Sequence, residues 1–239
     1  MTICLDCILS HIHLPDGILP VWLWAAGYLA AFLLIGALWR GGKATAEPRR
    51  FALLGIFAAM MILVAMIEAP PFSYHFNLSV VTGIILGPRL SALAALMVNM
   101  ILSLIGHGGI TVVGLNTLVL STEMIAGYYA FRLLTRMHFG LTKGGFLATL
   151  VGLAIGTSAG FGIIALGSPW IDRALRAGVA EELGPGIEGP YLSLTRLAII
   201  MFGVGAVGWI VEAILSAAIL GYLSKVYPGI LGRSNGVVE

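Results

Sequence analysis

Charge is scarce in this chain. Lysine, arginine, aspartate and glutamate make up 10% of its 239 residues, against roughly 25% in a soluble domain. So few charges cannot cover a water-facing surface, which excludes an ordinary soluble protein. Cysteine is nearly absent. The only two, Cys4 and Cys7, exclude a multi-bridge disulfide scaffold. As a Cys-x-x-Cys pair they supply half of a closed thiolate metal site, which takes four ligands. Also missing is a Gly-x-x-x-x-Gly-Lys-[Ser/Thr] phosphate loop, because Gly42-Lys43 is followed by Ala44. The chain therefore does not hydrolyse ATP through that machinery. The opening MTICLDCILS has no basic stretch and does not read as a signal peptide. The net charge is only +2, and nothing in it marks a nucleic-acid partner.

Long apolar runs take the place of the missing charge. Hydrophobic residues reach 59% and the mean hydropathy is +1.01. A membrane span needs about 20 mostly apolar residues, roughly 30 Å of hydrocarbon. Hydrocarbon offers no hydrogen bonds, so spans are helices or closed barrels, and the continuous runs argue for helices. The expected fold is all-α: a polytopic membrane helix bundle of about seven spans. The segments are roughly Val21–Trp39, Phe51–Ile67, Leu78–Leu86, Leu90–Ile105, Asn116–Leu134, Phe146–Leu166 and Leu197–Leu223. The third is too short to cross alone and reads as a longer span or a half-span lining a cavity. The 32 glycines suit close helix packing in lipid, and Gly152, Gly156 and Gly160 form a small-residue stripe in the sixth segment.

Basic residues orient the spans. Arg40, Lys43, Arg49 and Arg50 follow the first segment, Arg89 the third, Arg132, Arg136 and Lys143 the fifth, and Lys225 and Arg233 the seventh. These alternate connections fall on one side. The expectation is an N-terminus outside and a C-terminus in the cytoplasm of a bacterial or archaeal cell membrane. Residues 1–10 read as an N-terminal extension, 11–225 as one transmembrane domain and 226–239 as a cytoplasmic tail. The 168–196 loop, broken by Gly184-Pro185-Gly186, is the expected site of partial disorder.

With that orientation, four of the five histidines share one face. His11 and His13 precede the first span, His75 follows the second and His107 follows the fourth; His138 lies on the other side. Neutral imidazole is a common ligand for late first-row metals. The flanking residues shape the loops. His13-Leu14-Pro15-Asp16-Gly17 combines a rigid proline, an acid and a glycine turn, suited to docking the N-terminal segment in the outer mouth of the bundle. Pro70-Pro71 approaches His75 in extended form. Gly106-His107-Gly108-Gly109 is a tight turn.

The pieces HLPDG (13–17), SYH (73–75), ILGPRLSAL (85–93), GHGGITVVGLN (106–116) and IVEAILS (210–216) together resemble the cobalt/nickel substrate-binding component of energy-coupling-factor transporters, the CbiM/NikM family. The resemblance covers most of the chain in the right order. It implies capture of Co²⁺ or Ni²⁺ as transient cargo, with no resident cofactor. It also implies partners: a transmembrane coupling subunit, a pair of cytoplasmic ATPases and, as a further candidate, a small accessory membrane subunit. In that family a free terminal amine, the deprotonated amide and imidazole of the next histidine, and a loop histidine form a square plane of nitrogens. The loop ligand carries over onto His75. The N-terminal ligand carries over onto His13 on a gapless match and onto His11 on the longer HIHLPDG match. Ten residues precede His11 here, a departure from the pattern. A start at Leu9, read as methionine and then removed, would leave a free Ser10 amine beside His11 and restore the chelate.

Other residues take supporting roles. His107 and Asn116 are candidates for holding the ligands in place, and Asn116 suits a helix N-cap equally well. Asn99 and Glu212 lie inside spans, where a polar group joins helices or marks function. Gly156-Thr157-Ser158-Ala159-Gly160 matches a serine-nucleophile pattern, but it sits in one apolar span and reads as coincidence. An intramembrane hydrolase at Ser158 and an importer subunit for an organic vitamin are the rival functions.

Overall fold

The computed structural model describes residues 16–17, 19–40, 48–69, 74–183 and 193–227. Among these are six helices: α1 (Val21–Arg40), α2 (Pro48–Ala65), α3 (Ser79–Leu104), α4 (Val113–Arg136), α5 (Leu141–Leu183) and α6 (Leu194–Val226). Between α2 and α3, Glu68–Ala69 (β1) pairs antiparallel with Tyr74–His75 (β2). The expected all-α membrane bundle is present. Its residue placement is inverted relative to a soluble protein. Leu29, Phe32 and Leu33 of α1 and Ile199 and Ile214 of α6 are exposed, whereas Asn116, Thr117, Ser121 and Glu123 of α4 are buried. Lipid is as apolar as leucine, so apolar side chains face outward at no cost and polar groups turn inward to find partners.

Five helices are long and apolar enough to cross a membrane: α1, α2, α3, the Leu141–Arg173 part of α5, and α6. Seven segments were expected, and two features account for the difference. The first is that α4, the fifth expected segment, carries too many polar residues to stand among the five. The second is that the third and fourth expected segments are joined in α3, interrupted at Gly87, whose φ of 75° and ψ of 168° are not helical. A straight helix of α3's length would span about 39 Å. Yet its flanking residues His75 and His107 have ring centroids 5.0 Å apart. The element therefore folds back at Gly87-Pro88 as two arms. The Ser79–Leu86 arm measures about 12 Å and the Pro88–Leu104 arm about 25 Å. The segment 75–78, which ends in the left-handed turn at Leu78, makes up part of the difference. Glycine tolerates the positive φ, and Pro88 suits the first turn of the second arm.

The expected loop 168–196 is corrected. Helix α5 runs to Leu183, so 168–183 is helical. The mixed charges from Asp172 to Glu182 lower the hydropathy without weakening helix propensity, and α5 stops immediately before Gly184-Pro185-Gly186. Likewise α4 begins at Val113 with Val112 at its N-cap position, which corrects the cap role expected for Asn116.

Packing is closest where glycines meet backbone. A Cβ on Gly83 of α3 would lie 2.5 Å from the Met124 carbonyl oxygen of α4, and one on Gly114 of α4 would lie 2.5 Å from the Tyr28 nitrogen of α1. The main core joins α2, α3 and α4 through Met61, Val80, Ile84, Leu102 and Met124.

Candidate metal-capture site

Four segments converge at the end of the bundle where α1 starts: residues 16–17 with 19–20, the end of α2 with the β1–β2 ladder, the start of α3, and the loop 105–112. Helix capping sets the loop. The His107 amide donates to the Leu102 carbonyl at 2.8 Å and the Gly106 amide to the Ser103 carbonyl at 3.2 Å. With Gly106 at φ 83°, this is a Schellman motif. His107 thus holds a fixed place just beyond the end of α3.

His75 is fixed from two sides. It is buried, and its Nδ1 lies 2.9 Å from the carbonyl oxygen of Ala65, the last residue of α2. A carbonyl only accepts, so Nδ1 carries the proton and donates. The basic nitrogen is then Nε2, the arrangement found in metal-binding histidines whose other nitrogen is held by a carbonyl. The bond also uses one of the helix-terminal carbonyls that lack an intrahelical partner. The negative end of the α2 dipole favours a cation nearby. His107 packs edge-on against His75, with 83° between the rings.

Asp16 ties the N-terminal segment to this loop. Its Oδ2 accepts from the Ile110 amide at 2.9 Å, and its Oδ1 accepts from the Thr111 amide at 2.8 Å and from the Thr111 hydroxyl. Gly109 makes the approach possible, because a Cβ there would sit 2.5 Å from the Asp16 nitrogen. The Tyr28 hydroxyl donates to the Ile110 carbonyl and adds α1 to the cluster. Burial pushes the Asp16 carboxyl up, but the donors at Thr111 and Ile110 outweigh it and hold its pKa below the ordinary 3.8. A depressed folded pKa means that this docking contributes in full above the ordinary value and is lost as pH falls through the depressed one. Hydrogen exchange, corrected for intrinsic rates, should show the Ile110 and Thr111 amides protected from neutral pH down to the carboxylate range and released below it. Asp16→Ala should remove the protection at every pH.

Among the described residues, no three His, Cys, Asp or Glu side chains converge on one point. Ser10, His11, His13, Cys4 and Cys7 lie outside the described residues, so the structure brings together His75 and His107 of the expected set. Asn116 is buried near the start of α4. Asn99 donates to the Ala95 carbonyl of its own helix at 2.8 Å, a bond within a helix where a bond between helices was expected. Glu212 is fully buried in α6. His138 lies beyond the other end of α4 at φ 64°, its amide on the Thr135 carbonyl at 3.1 Å. Ser158 is exposed on the unbroken helix α5 and donates to the Ala154 carbonyl at 2.7 Å. The strand-to-helix turn that its motif would need is replaced by continuous helix.

Residues 13–230 match the CbiM family, described as the cobalt uptake substrate-specific transmembrane region. The chain belongs to the CbiM family. This CbiM-family chain is 26% identical over 220 residues to a proposed cobalt transport protein CbiM of Halobacterium salinarum, covering 89% of this chain and 93% of that one. It is 26% identical over 227 residues to a proposed fused nickel transport protein NikMN of Archaeoglobus fulgidus, covering 92% and 68% respectively. Over a shorter stretch of 113 residues, 44% of this chain and 46% of the other, it is 33% identical to the cobalt transport protein CbiM of Clostridium tetani. Its fold is similar to that of a crystallised transition metal transporter, with a TM-score of 0.64 at 21% identity over 93% of this chain and 97% of that one. Membership makes this a multi-pass membrane protein of a metal-transport family.

One buried group at the site escaped the sequence reading. Glu123 of α4 is 6% exposed and accepts from the Ser79 hydroxyl and from Asn77 Nδ2 at 3.4 Å. An acid within an apolar stretch is the signal that singled out Glu212, and it applies to Glu123 with equal force.

Proposed function

We propose that this CbiM-family chain captures Co²⁺ or Ni²⁺ at the His75–His107 end of the bundle. In this reading it is the substrate-specific subunit of an energy-coupling-factor ABC importer. The observation that carries the proposal is the held imidazole of His75: Nδ1 engaged by the Ala65 carbonyl, which makes Nε2 the basic nitrogen, and a second histidine in ring contact. Family membership supports the metal class. Asp16 supports the route by which the N-terminal ligand arrives, since it fastens the chain five residues after His11 and three after His13 to the loop bearing His107.

The complete site in this reading adds His11 or His13 and, where the chain starts at Ser10, the Ser10 amine. Such ligands bind metal only when deprotonated, so affinity falls in acid. A square plane of nitrogens suits Ni²⁺. The capture face is external, the seven expected segments lie in the membrane with the short arm of α3 as a half-span, and the C-terminus is cytoplasmic. Energy comes from elsewhere: a transmembrane coupling subunit and a cytoplasmic ATPase pair, with a small accessory membrane subunit as a further partner. With each ATP cycle this subunit reorients and presents the ion inward.

Two measurements test the proposal. Calorimetric titration of the purified chain should show saturable binding of Ni²⁺ or Co²⁺. Cells producing the chain together with coupling and ATPase subunits should accumulate the ion, and cells with an inactive ATPase should not. A chain that binds neither ion would overturn the reading.

A further inference from the structure

We propose that Glu123 is a positioning residue for the capture site: through Ser79 and Asn77 its carboxyl fixes the segment that presents His75. This inference rests on the reading of His75 as a ligand.

The segment between His75 and α3 is short and strained. Leu78 adopts φ 52° and ψ 21°, left-handed backbone that is strained for a bulky residue. No side chain caps α3 at Leu78, so helix capping does not hold the strained turn. The two residues flanking Leu78 both donate to Glu123: Asn77 through Nδ2 at 3.4 Å and Ser79 through its hydroxyl. One carboxyl oxygen, Oε1, receives both. A side chain of α4, 46 residues away from Asn77 in sequence, thus grips the turn on both sides of its strained residue. Strain of this kind persists only where the surroundings over-determine it, and Glu123 is the polar part of those surroundings.

The seat of Glu123 is also built. Gly156 of α5 lies against its other oxygen, and a Cβ there would stand 2.5 Å from Oε2. A Cβ on Gly152 would stand 2.9 Å from the Glu123 carbonyl oxygen. These two glycines of the α5 stripe therefore make room for Glu123 as well as letting helices approach. The chain of contact runs from α5 through Glu123 to the 77–79 turn and on to His75. His75 itself is held by the Ala65 carbonyl, so the segment that carries it is tied to α2 at the ring and to α4 at residues 77 and 79. A shift of α4 against α3 would loosen the second tie.

The experiment is Ni²⁺ titration of the full chain in detergent, read by calorimetry and by the ligand-field absorption of the bound ion. Glu123→Ala should lower affinity about ten- to a hundredfold, as loss of a group that orients a ligand does, and should alter the absorption. Glu123→Gln keeps an oxygen for Ser79 and should stay within about threefold of wild type, because an equivalent hydrogen bond remains. Gly156→Val, which pushes on Oε2 from α5, should imitate Glu123→Ala. Ser79→Ala should weaken binding on its own and add little to Glu123→Ala, since residues acting through one contact are not additive. Wild-type affinity and absorption in Glu123→Ala would overturn the proposal, as would full additivity with Ser79→Ala. Should Glu123→Ala not fold, Ser79→Ala and Gly156→Val decide alone, and unchanged affinity in both overturns it. A wild-type chain that binds no Ni²⁺ or Co²⁺ would instead overturn the capture reading on which this one stands.

Discussion

Replacing His75 with alanine should cost at least about a hundredfold in Ni²⁺ or Co²⁺ affinity. Four-ligand metal sites in small peptides yield roughly 10–16 kcal/mol, or about 3 kcal/mol per ligand, and 2.8 kcal/mol is about a factor of one hundred. No described side chain can substitute cheaply. His107 touches the His75 ring, but the Schellman turn fixes its backbone, so it cannot move into the vacated place without breaking the end of α3. His138→Ala is the matched control. It removes an imidazole from the far end of α4 and should leave the affinity at the wild-type value. Calorimetry of the two variants beside wild type settles the matter. Equal affinity in all three would remove His75 from the ligand set.

The largest effect on folding is expected for Gly83→Val. The new Cβ would overlap the Met124 carbonyl oxygen and come within 3.0 Å of the Met124 Cα. Both are backbone of the central helix α4, which cannot turn aside as a flexible side chain would. Overpacking in an adaptable core costs about 1–3 kcal/mol. Two helix backbones pressed together have less freedom, so the cost should reach or pass the upper end of that range. A marginally stable protein loses most of its folded population at a few such increments. The readout is the thermal unfolding midpoint in detergent with size-exclusion homogeneity, and a wild-type midpoint would show that α3 and α4 are not in backbone contact.

Much of this was legible in the residues. Apolar run length locates α1, α2 and α6 because lipid demands length and hydropathy together. The loop motifs foretold the assembly at one end of the bundle: Asp16 in HLPDG closely approaches Gly109 of GHGG and accepts from the Ile110 and Thr111 amides that follow it. What hydropathy could not convey is how polar side chains inside the bundle are used. Helix α4 is the least apolar and among the most enclosed, because Asn116, Thr117, Ser121 and Glu123 are turned inward. The fold-back at Gly87 was half visible as an interruption between two apolar runs. Its sharpness depends on a positive φ that hydropathy does not register. The length of α5 was hidden for the opposite reason, since charged residues that favour helix end the apolar signal long before they end the helix.

The short arm of α3 has a consequence for how the chain is made. Ser79–Leu86 is buried along its whole length, and at about 12 Å it is too short to partition into lipid as it leaves the ribosome. Its neighbours in sequence, by contrast, carry the ~20 apolar residues that the insertion machinery recognises. During synthesis this stretch should therefore settle only once α4 and α5 stand around it, which would place the turn bearing His75 among the last parts of the protein to reach its final position.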